Sequence, residues 1–255
     1  MTSLFDLSGK VALVTGSTQG LGLAIATGLA EHGAKLVVNG REAKKCDEVV
    51  AQLRAEKHID AVAVAFDVSN AEEVRRGIAR IEEEVGPIDI LVNNAGMQRR
   101  HPFLEFPEAD WDTLVSVNEN SVFLVSQAVG QHMKERQRGK IINVCSMQSE
   151  LGRDNITPYA ATKGAVKMLT KGMCVELARY NIQVNGIGPG WFDTAILAEF
   201  LKNEGCRTWL SQRTPAGRCG QPHDLAGAAV FLASAASDFG NGHMLYVHGG
   251  FLAKM

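Results

Sequence analysis

The sequence predicts an α/β protein of one domain, a doubly wound parallel sheet with helices on both faces. Three observations lead there. Short apolar, β-branched runs alternate with amphipathic helix-like stretches along all 255 residues, as a parallel sheet buried on both faces requires. A glycine-rich turn follows directly on the first such run. Residues with chemical use stand just after the runs, at the carboxyl ends of the strands, where ligands sit in open sheets of this kind. No internal repeat, low-complexity tract or linker divides the chain.

Composition narrows the function. Apolar residues make 45% and charged residues 21%, an ordinary globular balance. A net charge of −2 argues against a nucleic-acid surface. Cys46, Cys145, Cys174, Cys206 and Cys219 form no CxxC and no ligand spacing with histidine. No metal is therefore expected, and an odd number of scattered thiols suits a reducing compartment. No apolar run reaches the ~20 residues of a membrane span, and no basic segment with an apolar core opens the chain. A cytoplasmic protein is expected.

The first strand is read over Val11 to Thr15. The turn Gly16, Ser17, Thr18, Gln19, Gly20, Leu21, Gly22 then opens a helix that runs to His32. Glycines there give a tight turn and close backbone approach to a pyrophosphate, with a helix N-terminus aimed at it. Lys35 to Asn39 is a second strand. Its end should face the adenosine ribose, and Arg41 there suits a 2′-phosphate, which a guanidinium can grip with two hydrogen bonds. NADP is expected over NAD. The plain alternative is a loop charge, and Glu42 beside it leaves NAD open. A helix follows over Glu42 to Lys57, and a third strand over Ala61 to Phe66. Asp67 and Val68 end that strand, with the carboxylate placed for the adenine amino group or else for a turn that Ser69 or Asn70 could also make.

Ala71 to Val85 is read as a helix that Gly86-Pro87 breaks. Ile88 to Val92 is the fourth strand. It ends in Asn93, Asn94, Ala95 and Gly96, with room for a flat ligand, or in a plain turn. The polar loop Gln98 to Phe103 lies at the same edge. Glu108 to Arg136 is read as one long helix, and Asn118 within it is costly unless its amide is satisfied. It holds either a local kink or a functional water. Lys140 to Cys145 is the fifth strand and Ile182 to Ile187 the sixth. The sixth leads into GPGWFDT, residues 188–194, with Trp191 at the ligand mouth. A small helical lid is expected at about 191–214, a helix over Gln221 to Ala233, and a last strand over Met244 to Val247.

The fifth strand feeds the stretch around which the chemistry gathers. Ser146 stands at its end, Tyr159 follows thirteen residues later and Lys163 four after that. Four residues is about one helical turn, so Tyr159 and Lys163 share a face. Pro158 suits the first turn of their helix, which continues over Thr162 to Ala178. A free phenol has a pKa of about 10, and a nearby ammonium lowers it toward the range where a general base works. Ser146 would hold the substrate oxygen. The plain alternative is a helix start with a stray tyrosine and a surface lysine.

TGSTQGLG, Asp67-Val68, NNAG, Asn118, Ser146, YAATK and the PG of GPGWFDT together resemble the short-chain dehydrogenase/reductase superfamily. The resemblance implies a Rossmann-like sheet of seven strands and a homotetramer. It implies that Tyr159 is the acid/base, Lys163 lowers its pKa and holds the nicotinamide ribose, and Ser146 binds the reacting oxygen. Asn118 would anchor a kink and a relay water, with Asn94 along the cofactor and Pro189, Gly190 and Thr194 beside it. QRR at 98–100, CSMQSELGR at 145–153, the string 163–186 and RTPAGR at 213–218 resemble the branch of the family that acts on sugar acids. That implies interconversion of D-gluconate and 5-keto-D-gluconate, with 2-deoxy-gluconate or bulky ketones as alternatives, and beyond these a cofactor-binding protein without turnover. A carboxylate needs a cation, and Arg99, Arg100, Arg153 and Arg213 are the candidates, with Gln98 and Gln148 for hydroxyls. Cys145, Glu119, Gly188, Cys219 and His248 depart from the usual pattern and remove no catalytic group.

Overall fold

In a computed structural model, which describes residues 3–194, 197 and 202–255, the strands are β1 (Val11–Val14), β2 (Lys35–Val38), β3 (Ala61–Ala63), β4 (Ile88–Asn93), β5 (Gly139–Val144), β6 (Ile182–Pro189) and β7 (Met244–Val247). They form one parallel sheet in the order β3-β2-β1-β4-β5-β6-β7. The chain winds outward from β1 in one direction and from β4 in the other, so the order reverses between these two strands. Side chains on alternate strand positions go to opposite faces: Ala12 and Val14 join one buried cluster, Val11 and Leu13 the other.

Helices α1 (Gly20–Glu31), α2 (Ala43–Lys57) and α8 (Ala226–Ala233) cover the first face. Helices α3 (Ala71–Arg80), α5 (Ser121–Arg136) and α6 (Thr157–Leu177) cover the second. Among the described residues the remaining α-helices are α4 (Glu108–Val115) and α7 (Glu204–Arg213). Residues 195, 196 and 198–201 of the expected lid lie outside the described residues; α7 is its described helix.

Three elements differ from the sequence reading. The third strand stops at Ala63, although Val64 and Phe66 still donate to the carbonyls of Val38 and Gly40 at 3.0 and 3.1 Å. The helix beginning at Ala71 ends in a π turn, Ile81–Val85, as Gly86 turns away with φ +134°. The long helix expected over Glu108 to Arg136 is α4 and α5 joined by a π turn, Ser116–Asn120, with Asn118 fully buried in it. Pi turns of this length are usually single insertions at functional positions.

Candidate active site

The first turn is shaped by glycine. Gly16 and Gly20 take φ of +60° and +58°, a region that side chains disfavour. A Cβ on Gly22 would lie 2.3 Å from the Asn94 amide nitrogen and 2.4 Å from the Gly16 carbonyl. Gln19, at the N-cap of α1, makes no side-chain cap bond, which leaves the first backbone N–H groups of α1 facing the turn. This cradle fits a pyrophosphate. Arg41 is exposed just past β2, and Thr18 packs against Gly40 there.

The turn is held in part by Asn39 and Thr15, which the sequence reading passed over as site residues. Asn39 is buried, accepts from Gly16 N at 3.4 Å, and donates to the carbonyls of Val64 and Phe66 at 3.1 and 3.3 Å. Ser17, also buried, exchanges bonds with the Asn39 backbone. The Thr15 hydroxyl accepts from the N–H groups of Asn94 and Ala95 at 3.0 and 3.1 Å. The only available signal was a polar residue closing an apolar strand. Asn94 donates its amide to Thr15 O and Gly16 O at 2.9 and 3.0 Å, so its NH2 fastens the turn to β4. One Asp67 oxygen accepts from Ser69 N and Oγ at 2.8 and 2.6 Å. Asn70 is the cap of α3. The turn role therefore occupies one oxygen of Asp67, and Val68 is buried beside it.

At the end of β5, Ser146 is buried and caps a short turn, accepting from Gln148 N at 3.1 Å. The Tyr159 phenol lies close enough for the Ser146 side chain to act on its proton affinity. Lys163, 5% exposed, donates to Val144 O at 2.7 Å, and its ammonium stands 5.9 Å from the Tyr159 ring centroid. Asn118 accepts from Met97 N at 2.8 Å and donates to Met97 O at 2.9 Å and to Thr162 Oγ1 at 3.3 Å. A Cβ on Gly96 would lie 3.4 Å from Asn118 Oδ1 and 3.6 Å from Lys163 Nζ. The structure thus brings Gly96, Asn118, Ser146, Tyr159 and Lys163 together, and Asn118 does hold a local irregularity of its helix.

The electrostatics correct one expectation. Burial pushes the Tyr159 phenol above its ordinary value, while the nearby Ser146 side chain pulls it down. Burial also pushes the Lys163 ammonium below its usual value. Desolvation of the phenolate, rather than attraction to Lys163, dominates at Tyr159.

On the opposite side of the mouth, Pro189 ends β6, Gly190 donates to Val247 O at 2.9 Å, and the Thr194 carbonyl accepts from Leu197 N at 2.9 Å. Gln148 is nine-tenths buried and its Oε1 has no hydrogen-bond partner. Gln98 accepts from Arg100 at 3.2 and 3.3 Å, and Arg99 pairs with Asp110 at 3.4 Å. Gly188 explains itself: a Cβ there would lie 2.2 Å from the Tyr246 ring. His248 stacks on that ring at 6.0 Å, and Cys145 and Cys219 are packed among apolar side chains. No group of acidic residues, histidines and cysteines that could hold a metal occurs among the described residues.

A glycine cradle at the switch point and a Ser–Tyr–Lys–Asn cluster across from it define a nucleotide-dependent oxidoreductase site, and a family model for short chain dehydrogenases matches residues 10–205. The chain belongs to that family. It is 58% identical to 5-keto-D-gluconate 5-reductase of Escherichia coli over the whole of both chains. It is 52% identical to gluconate 5-dehydrogenase of Gluconobacter oxydans, over 99% of this chain and 98% of that one. Among solved structures it matches a gluconate 5-dehydrogenase from Burkholderia cenocepacia in complex with NADP and tartrate, with a TM-score of 0.96, 52% identity and 98% of each chain covered.

Proposed function

We propose that the protein is an NADP-dependent oxidoreductase that interconverts D-gluconate and 5-keto-D-gluconate. The observation that carries this is the gathering of Ser146, Tyr159, Lys163 and Asn118 at the end of β5, in a chain 58% identical to a 5-keto-D-gluconate 5-reductase. NADPH, when bound, supplies the hydride. Gly16 to Gly22 receive its pyrophosphate, Arg41 its 2′-phosphate, Asp67 and Val68 its adenine, and Asn94, Ala95, Gly96, Pro189, Gly190 and Thr194 line the rest of its path. Ser146 holds the keto oxygen, and Tyr159 gives that oxygen its proton as the carbonyl becomes an alcohol. Lys163 holds the nicotinamide ribose and restores the charge balance around the phenol. Asn118 keeps the π turn and, through it, the position of a relay water.

Gln98, Arg99, Gln148, Arg153 and Trp191 make the substrate side, with α7 as the cover of a small lid at about 191–214. The unpartnered Gln148 oxygen suits a sugar hydroxyl. We place the enzyme in the cytoplasm as a homotetramer. No helix among the described residues is long and apolar enough to cross a membrane, and Phe123, Met168 and Val175 stand exposed on α5 and α6 where a second copy can cover them; light scattering checks the assembly.

The first test follows NADPH absorbance with 5-keto-D-gluconate. Rapid oxidation of NADPH is expected. Turnover confined to bulky ketones would replace the sugar acid and keep the fold and mechanism. A second test addresses Arg41. A charge-assisted bond is worth about 1.5–3 kcal/mol, so Arg41→Ala should weaken NADPH binding about tenfold or more and change NADH binding much less. Equal losses in titrations with the two cofactors would remove Arg41 from 2′-phosphate recognition.

A further inference from the structure

The four arginines near the mouth are not equivalent. Arg99 is engaged by Asp110. Arg213 donates to the Lys254 carbonyl and lies over the Phe251 ring at 5.0 Å. Arg100 is exposed and folds back on Gln98. Like Arg213, Arg153 is half-buried. Burial and the like charge of Arg100 both act against its charged form, and Asp154 acts for it. Arg100, Arg153 and His101 line a cavity of about 200 Å³, with Asp154 as its acidic member. Two guanidinium groups converging on one small cavity favour an anion between them.

The orientation of Arg153 has its own support. Its guanidinium lies 4.6 Å over the Trp191 ring. Trp191 meets Trp209 of α7 edge-on, with centroids 6.1 Å apart. Trp209 meets Phe251 at 6.2 Å, and Arg213 closes the far end. Leu210, Phe251 and Met147 share one buried cluster with Trp191. The column therefore joins the segment after Ser146, the exit of β6, helix α7 and the C-terminal turn. A long flexible arginine held over an aromatic face loses less freedom when it binds an anion.

We infer that Arg153, held on the Trp191–Trp209–Phe251 column, is the specificity-determining residue that reads the substrate's carboxylate. This rests on the sugar-acid reading above. Arg153 touches the substrate; Trp191 acts through it as a positioning residue. Gln148 reads hydroxyls and not the carboxylate, since its free atom is an acceptor.

Two measurements test this on the full-length, NADP-loaded protein. In calorimetry, tartrate serves as a small anionic probe. Arg153→Met should weaken its binding at least tenfold, Arg153→Lys less, because charge survives and the planar fork does not. Trp191→Leu should weaken it severalfold, and Trp191→Phe, which restores a ring face, should recover most of the loss. In turnover, 5-keto-D-gluconate is compared with L-sorbose, in which CH2OH replaces the carboxylate. The preference for the keto acid should fall at least tenfold in Arg153→Met, through KM rather than kcat. Wild-type tartrate binding that depends on Arg153, without turnover of the keto acid, would discard the sugar-acid reading and keep the anion site. Variants that bind tartrate and prefer the keto acid as the wild type does would overturn the inference. So would a wild type that binds no tartrate and shows no such preference.

Discussion

Tyr159→Phe should cut turnover by about 10²–10⁴-fold while NADPH still binds. The substitution removes one oxygen and keeps the ring beside Lys163, 5.9 Å from its ammonium. Ser146 keeps its bond from Gln148 N, so the end of β5 stays in place. Proton transfer by a positioned side chain contributes about 10²–10⁴-fold, and kcat should fall by that range. The wild-type pH profile follows from the same group. Because burial raises the phenol, its protonated form persists to higher pH. Reduction, which needs the phenol, should hold steady across neutral pH. Oxidation, which needs the phenolate, should climb as pH rises toward the raised value. Kinetics in both directions over pH check this. A Tyr159→Phe enzyme that reduces its ketone at the wild-type rate would take the proton away from Tyr159.

Gly22→Ala should remove cofactor binding. One added carbon would lie 2.3 Å from the Asn94 amide and 2.4 Å from the Gly16 carbonyl. The carbonyl is backbone and cannot swing aside without moving the turn. The Asn94 amide that ties the turn to β4 would be expelled with it. Overpacking of this kind costs about 1–3 kcal/mol, which a domain of this size can bear, so the fold should survive. NADPH affinity should fall by about a hundredfold or more, and the rise in Tm that NADPH gives the wild type should vanish. A Gly22→Ala protein that retains its thermal shift would show that this turn does not receive the pyrophosphate.

Much of this site is legible in the sequence, and the reasons are physical. Each strand is a short apolar run, and a run buried on both faces has few other structures available, so β1, β2, β4, β5, β6 and β7 fall close to where periodicity puts them. β3 is overextended because Val64 and Phe66 are apolar and buried, and apolarity alone does not distinguish ladder from loop. Tyr159 and Lys163 share a face because a helix fixes that spacing. Asn39 and Thr15 escaped notice because their importance lies in partners 23 and about 80 residues away, which no local pattern reveals. The Trp191–Trp209–Phe251 column is invisible for the same reason. The raised phenol was missed because spacing reports neighbours but not the water they exclude.

The π turn at Ser116–Asn120 has a consequence for how this helix can change. It places one residue more in the coil than an α-helix would hold, and each residue rotates an α-helix by about 100°. Helices α4 and α5 therefore run out of phase by roughly that angle. The Ser121 hydroxyl donates to the Val117 carbonyl at 2.6 Å, giving a partner to one carbonyl of the irregular turn. Deleting one residue here would bring the two helices into a single phase and restore regular bonding. It would also swing either Asn118 away from Met97 and Thr162 or the apolar face of α5 away from β4 and β5. The dislocation lets one rod satisfy two frames at once, one set by the sheet beneath it and one by the amide it must present.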